Sequence, residues 1–362
     1  MTVVQMHQTV TGHDAIGNDI EAIFKLLNAQ GRRCVVFANN TLNKQVTYIE
    51  ESELDSVLQE EDNIILYHHS VYWEQGFEIL KKAKAKIVFR YHNITPPAFF
   101  EPYNSFHTQQ CEKGRKQTDT LIQEFPNAFW LCDSQYNAED LRGVSKERIG
   151  ICPPFHKIEE WRETKPDEEI LNDLITRKEI NLLFVGRIAP NKGHKMLLEI
   201  MKIFTTNYPD PIRLRVIGKF DDGLPGYNSL IEKTIQKYHL DDCIEFIGEI
   251  NDATLLAYYL GSDFLVCTSE HEGFCVPIVE AQYLGLPILA LKECAVPETI
   301  GKNQIVLEKD PKKFAAGIYA LYHNREYMRF LIHHGSENIE NRFTTERISE
   351  IFLEEFAKGA ER

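Results

Sequence analysis

The chain has no C-x-x-C pair, and its eight cysteines are scattered through apolar stretches such as Leu131-Cys132 and Val266-Cys267. That spacing excludes a zinc ribbon or a disulfide framework and suits reduced core thiols. No run approaches 18 consecutive apolar residues, so no segment reads as a membrane-spanning helix. The N-terminus enters Val3-Val4-Gln5-Met6 directly, without a charged leader and apolar signal core, and the expected location is the cytoplasm. Basic charge is in short supply as well. With 40 Lys and Arg against 54 Asp and Glu, the net charge is -14 and the acidity extends over both halves, which argues against a general nucleic-acid binder. Also missing are G-x-G-x-x-G and the lysine of a P-loop, which disfavours dinucleotide binding and NTP hydrolysis. There is no low-complexity tract and no short repeat.

What the chain does have is length and alternation. Its 362 residues, 43% of them hydrophobic, suit two domains that each bury a core. Short apolar strands are expected at 34–37, 63–67, 87–91, 128–132 and 149–152, with helices among them at 18–30, 72–83 and 137–141. After Cys152-Pro153-Pro154 and the charged stretch 157–169 the alternation pauses, which marks a linker. It resumes with strands at 182–185, 214–217, 244–247, 264–267 and 288–291. Helical sequence dominates from Pro311, and 344–358 is amphipathic with Ile348, Ile351, Phe352 and Phe356 on one side. Strand-helix alternation of this kind predicts right-handed crossovers and two mostly parallel α/β sheets, and such sheets bind ligands beyond the carboxyl ends of their strands.

Three motifs fall at such ends. Gly12-His13-Asp14-Ala15-Ile16-Gly17-Asn18 precedes the first strong helix, where glycines and free N–H groups suit a phosphate; a plain strand-to-helix turn explains the glycines equally well. Val185-Gly186-Arg187-Ile188-Ala189-Pro190-Asn191-Lys192-Gly193 offers a forked guanidinium and a mobile ammonium, a suitable pair for a pyrophosphate; the alternative is two solvated loop cations. Glu272-Gly273-Phe274-Cys275-Val276-Pro277-Ile278-Val279-Glu280-Ala281 carries two carboxylates eight positions apart. Pro277 suits a first helical turn, which puts Glu280 about one turn in, able to accept from a vicinal diol such as ribose. The competing reading makes Glu280 a helix cap and Glu272 a solvated loop acid.

The Gly-Arg-x4-Lys-Gly loop at 186–193, the E-x7-E at 272–280 and the Pro297-Glu298 that follows resemble the retaining nucleotide-sugar glycosyltransferases of family 4, over nearly the whole chain. The resemblance implies a GT-B fold of two Rossmann-like parallel-sheet domains facing across a cleft. The expected divisions are 1–155 for the acceptor-side domain, 156–343 for the nucleotide-sugar domain, and 344–362 as a helix returning to the first. By the same likeness, Arg187 and Lys192 hold the donor diphosphate, Glu280 the ribose and Glu272 the transferred sugar. Gly17, Gly186, Gly248, Ile250, Gly273, Phe274 and Cys275 complete the donor contacts.

In the first half, Tyr91-His92-Asn93-Ile94-Thr95-Pro96-Pro97 follows a strand, and the family likeness places His92 against the donor sugar; a structural histidine bonded to backbone is its alternative. His68, His69, Asn93 and Ser134 are expected on the acceptor side. Adjacent histidines diverge in a strand and no partner is spaced for zinc, so His68-His69 is not read as a metal site. The implied reaction moves a hexose, with GDP-mannose the first donor, to a hydroxyl of a glycan or lipid-linked acceptor. Retention, metal independence and the absence of a cofactor are expected. Two rivals are a sugar-nucleotide epimerase, which would convert donor without acceptor, and a non-catalytic sugar-nucleotide-binding subunit, for which His92 and the cation pair would be dispensable. Lys81, Lys82, Lys84 and Lys86 form a basic cluster that allows peripheral contact with the inner face of the cell membrane, although lysines at a helix C-terminus also answer its dipole.

Overall fold

The structure, a computed structural model, describes residues 1–12 and 14–361. The chain divides into two compact units: Met1–Pro97, Thr108–Lys157 and Thr344–Arg362 form the first, and Ala98–His107 with Ile158–Phe343 form the second. In the first unit the strands are β1 (Thr2–Met6), β2 (Thr9–Val10), β3 (Arg33–Phe37), β4 (Asn40–Thr41), β5 (Ile64–His69), β6 (Lys86–Tyr91), β7 (Phe129–Cys132) and β8 (Ile149–Ile151). Six of them make a parallel sheet in the order β3-β1-β5-β6-β7-β8, and β2 pairs with β4. All six residues of β5 are buried, as a strand covered on both faces requires, so the Tyr67-His68-His69 run at its end must find its partners inside the protein.

The second unit holds β9 (Ile180–Val185), β10 (Ile212–Ile217), β11 (Ile244–Gly248), β12 (Phe264–Cys267), β13 (Ile288–Leu291) and β14 (Ile305–Leu307), parallel in the order β11-β10-β9-β12-β13-β14. Each unit is therefore a doubly wound sheet whose order reverses beside its first strand, which puts ligand-binding loops at the carboxyl ends of β1 and β9 and of the strands next to them.

Four strands, β1, β14 and the two-residue β2 and β4, and one long helix lie outside the expected set. The helix, Ser105–Glu124, buries only Gly114, Gln117, Thr118 and Leu121. Without an apolar stripe, it leaves no helical period in the hydrophobic pattern. The expected continuous first domain, 1–155, is corrected by the segment 98–107, which clusters with the second unit. There Asn104 donates to the Gly223 carbonyl and Tyr103 meets Tyr227 edge to face. At the other end, Thr344 caps the helix Thr345–Ala360 by accepting from the Arg347 N–H. Ile348, Phe352 and Phe356 enter the first unit's core with Val88, Phe129 and Phe155. Burying each is worth about 1.5–3 kcal/mol relative to exposure, which holds this helix against the sheet. Among the described residues no helix is long and apolar enough to cross a membrane.

Candidate functional site

In the second unit the sequence motifs converge through backbone docking. Past β9, Gly193 takes φ 73° and starts the helix His194–Asn207. A Cβ on Gly193 would lie 1.9 Å from the Thr268 carbonyl oxygen, so only glycine lets this turn rest against the end of β12. Asn191, buried between the two loops, completes the join. Its carbonyl accepts from the N–H groups of Glu270 (2.8 Å) and His271 (3.2 Å), and its side chain donates to the His271 carbonyl at 3.3 Å. The result is a pairing across 80 residues: the Lys192 Nζ donates to the Glu272 Oε1 at 2.6 Å. Burial pulls the Lys192 pKa down most strongly, but the charge and hydrogen bond of Glu272, with Cys275, together hold the ammonium above its ordinary value. Glu272 is thus no solvated loop acid. Arg187, on the same turn, is exposed.

The helix Val276–Tyr283 begins at Cys275, whose φ of 77° turns the chain sharply, and Pro277 occupies its first turn. Glu280 does not cap it. Instead its Oε2 accepts from the Tyr259 hydroxyl at 2.5 Å. Burial pushes the Glu280 carboxyl up to about 7; the Tyr259 bond opposes that rise and Asp252 adds to it. Phe274 packs edge to face on Phe343 while its carbonyl accepts from Thr299, which fixes the loop between the two glutamates. Gly248 ends β11 at φ 83° after a register shift, and Ile250 follows half-buried.

The first unit carries a separate polar cluster. Arg90 is fully buried. Its Nε donates to Asp19 Oδ2 (2.9 Å), its Nη1 to the Cys152 carbonyl (2.7 Å), and its Nη2 lies 3.1 Å from Asp133 Oδ1. Beside it, His92 places Nδ1 2.9 Å from Asp133 Oδ2 and Nε2 2.9 Å from His68 Nδ1. Both ring nitrogens of His92 are therefore engaged within its own unit.

Several expected roles are corrected here. His68 is buried between Gln5 and His92, and His69 points the other way to Thr118 Oγ1 at 2.8 Å, so the two histidines form no acceptor-side wall. Burial, with a smaller push from His92 and His7, drives the His69 pKa down to about 3. Asn93, at φ 69°, accepts from the Ile94 N–H and donates to Asn137, which makes it a turn residue. Ser134 is the N-cap of the helix Gln135–Glu139, accepting from Asn137. The Gly17 N–H is taken by Asp14, and a Cβ there would lie 1.9 Å from the Thr11 carbonyl, so close packing rather than a phosphate explains this glycine. His13 of the same loop lies outside the described residues. In the basic cluster, Lys81 pairs with Glu78 and Lys86 donates to the Ala360 carbonyl, which leaves Lys82 and Lys84 exposed.

Sequence reasoning passed over Asn191, Tyr259, Asp19 and Arg90. Asn191 stands inside a noticed motif and could have been singled out as a buried turn amide; the other three carry no local signal.

The loops joined by Lys192 and Glu272 lie inside residues 167–337, which match the family described as glycosyl transferases group 1. The match covers just under half of the chain, and over it the chain is similar to the group 1 glycosyl transferases. This segment and its surroundings are also similar to an uncharacterized 41.2 kDa protein in the cps region of Klebsiella pneumoniae, 26% identical over 62% of this chain and 57% of that protein. They are also similar to a D-inositol 3-phosphate glycosyltransferase of Geodermatophilus obscurus, 27% identical over 61% and 50%. A lipopolysaccharide 1,2-N-acetylglucosaminetransferase of Salmonella typhimurium is 27% identical over 68% and 59%. The matches thus span half to three-fifths of these curated relatives. Among solved structures, Anabaena Alr3699/HepE in complex with UDP and glucose superimposes with a TM-score of 0.74 at 15% identity, covering 99% of both chains. WaaG, a glycosyltransferase involved in lipopolysaccharide biosynthesis, does so with 0.71 at 12% over 97% and 99%. The fold is that of GT-B glycosyltransferases, two parallel-sheet α/β domains.

Proposed function

We propose that the chain is a retaining glycosyltransferase that moves a hexose from a nucleotide-diphosphate sugar to a hydroxyl of a glycan or lipid-linked acceptor in glycan synthesis. The observation that carries this reading is the joined loop pair in the group 1 segment. Lys192 and Glu272 meet at 2.6 Å next to a helix whose first turns bear the raised carboxyl of Glu280. A donor entering there exchanges the internal ion pair for its own groups. Its diphosphate takes Lys192 and the exposed Arg187, its sugar hydroxyls take Glu272, and its ribose diol takes the free oxygen of Glu280.

Negative charge grows on the diphosphate as the glycosidic bond breaks, and the two cations stabilise it at that moment. They can do so without a divalent ion, which is the basis for expecting metal-independent turnover. Gly186, Gly273, Phe274 and Cys275 contribute backbone groups, and Gly248 with Ile250 adjoins the base.

GDP-mannose is the first donor to test and UDP-hexoses the second; similarity to relatives named for transfer of N-acetylglucosamine and to a structure containing UDP and glucose supports including both bases. We place the work in the cytoplasm, in keeping with eight free cysteines, and Lys82 with Lys84 leaves a small basic patch for an anionic inner leaflet. The test is a thermal-shift screen of GDP, UDP and their sugars, followed by turnover with the stabilising donor and isolated acceptor glycans with chelator present. Stabilisation by a nucleotide sugar and an α-linked product from an α-linked donor are expected. Failure of every nucleotide to stabilise the chain overturns the reading, and conversion of donor without acceptor replaces it with an epimerase.

A further inference from the structure

Asp19, His68 and His92 bring one ligand atom each to within 4.8 Å, the spacing of a three-residue metal site. We propose that a proton occupies this cluster instead. His68 and His92 share one proton beyond those of two neutral imidazoles, and His68 and Asp133 are positioning residues that fix the His92 ring as a cation.

The argument is an inventory of donors and acceptors. The Gln5 amide donates Nε2 to the Ile20 carbonyl (2.9 Å) and toward Cys34 Sγ (3.5 Å), which turns its oxygen to His68 Nε2 at 3.0 Å. An amide oxygen only accepts, so His68 Nε2 carries a hydrogen. At the other end Asp133 Oδ1 faces the Arg90 guanidinium, and its Oδ2 accepts from His92 Nδ1. The remaining contact, His68 Nδ1 to His92 Nε2 at 2.9 Å, needs a hydrogen between two nitrogens that would otherwise aim lone pairs at each other. That makes three N–H hydrogens on two rings, one more than neutrality allows.

Charge agrees with this count. Arg90 and the imidazolium supply two positive charges against Asp19 and Asp133, so the buried cluster is neutral, whereas removing the proton leaves an uncompensated buried charge. The neighbouring histidines and thiols add no charge. Burial keeps His7 (about 4) and His69 (about 3) neutral and pushes the Cys34 and Cys152 thiols up to about 12.

Ring geometry separates proton from metal. The imidazoles are coplanar to 9° with centroids 5.2 Å apart, so they lie edge to edge with the two nitrogens on one line. A zinc ion on that line would require the nitrogens to stand about 4 Å apart, since each Zn–N bond is about 2.0 Å. Off the line the ion loses the lone pairs, and Arg90 Nε already occupies the Asp19 oxygen it would need.

Both N–H vectors of His92 thus point inward. The ring carries a fixed positive charge and no exchangeable proton, which excludes it as a general acid or base.

The test is NMR of the full chain with 15N-labelled histidine at pH 7. The expected result is hydrogen on both His92 nitrogens, on His68 Nε2, and a 15N–15N coupling across the inter-ring hydrogen bond. Two neutral rings, or one equivalent of zinc retained by the purified chain, overturns the proposal. A kinetic arm rests on the glycosyltransferase reading. His68→Leu leaves His92 Nε2 without its inward partner, so kcat should fall and become newly pH-dependent, with donor KM little changed. His68→Gln, whose oxygen can take the same N–H, should restore the wild-type profile. An identical pH profile in His68→Leu and wild type refutes the positioning role. If the chain transfers no sugar, the proposed function falls and the NMR result still decides the proton.

Discussion

Replacing Glu280 by Gln should stabilise the folded protein at alkaline pH and weaken donor binding there. The carboxyl rises from its ordinary 4.5 to about 7 in the folded chain, chiefly by burial. Between those values the native state binds more protons than the unfolded state, so stability falls as pH rises from 4.5 to 7 and the penalty is complete above 7. The rise corresponds to about 3 kcal/mol at pH 8.5 and less than about 1 kcal/mol at pH 5. Glu280→Gln keeps an oxygen for the Tyr259 hydroxyl and cannot ionise, so it removes that penalty. Urea unfolding of both proteins at the two pH values should show the variant ahead by about 3 kcal/mol at pH 8.5, with the gap closing towards pH 5. Donor affinity moves the opposite way. A carboxylate accepting from both ribose hydroxyls contributes about 1.5–3 kcal/mol, so the variant should bind the nucleotide sugar roughly ten- to a hundredfold more weakly at pH 8, with no matching loss for a 2′-deoxy analogue. Wild-type affinity should itself fall about tenfold from pH 8 to pH 6 as the binding-competent ionised form becomes the minority. Nucleotide sugars suit this calorimetry because their diphosphate diester keeps a constant charge over the range. A stability gap independent of pH would refute the burial argument, and equal affinities for ribo- and deoxyribonucleotides would refute the ribose role.

Tyr259→Phe deletes the one bond that lowers the Glu280 pKa, so the midpoint of wild-type donor affinity against pH should move upward; an unmoved midpoint in calorimetry contradicts the coupling. Lys192→Ala should cost about 10²–10³-fold in kcat by removing a cation from the leaving diphosphate, with turnover assays showing a loss that added divalent metal does not repair. Gly193→Ala forces a Cβ to 1.9 Å from a carbonyl oxygen at positive φ and should destabilise by about 3 kcal/mol or more in chemical unfolding. Gly226→Ala, in a helix with nothing within 4 Å of the new methyl, should stabilise by about 0.5–1 kcal/mol. Similar shifts for the two glycine variants would show that the loop junction tolerates movement.

Much of the architecture was legible because it rests on local pattern. The strands at 264–267 and 288–291 coincide with β12 and β13 to the residue, since a short apolar run between turn residues has one sensible conformation in a parallel sheet. Pro277 placed the start of its helix for the same kind of reason: its fixed φ and missing N–H act within one turn. Ser105–Glu124 was not legible, because a helix that packs through glycine, glutamine and threonine shows no hydrophobic period. β1 was missed although Val3, Val4 and Met6 are wholly buried, as a run at the chain's beginning has no preceding turn to frame it.

Within the candidate site, the sequence by itself determined which chemical groups are present and which loops bear them: two cations after β9, two carboxylates around one helix start. Only the tertiary structure decided their partners. Lys192 finds Glu272 across 80 positions, Glu280 finds Tyr259 across 21, and His92 finds His68 and Asp133 on neighbouring strands. Local sequence sets backbone propensity over a few residues, whereas a hydrogen-bond partner is set by sheet order and burial, which bring together residues with no shared pattern and leave each buried polar group to be satisfied by whatever the fold places beside it.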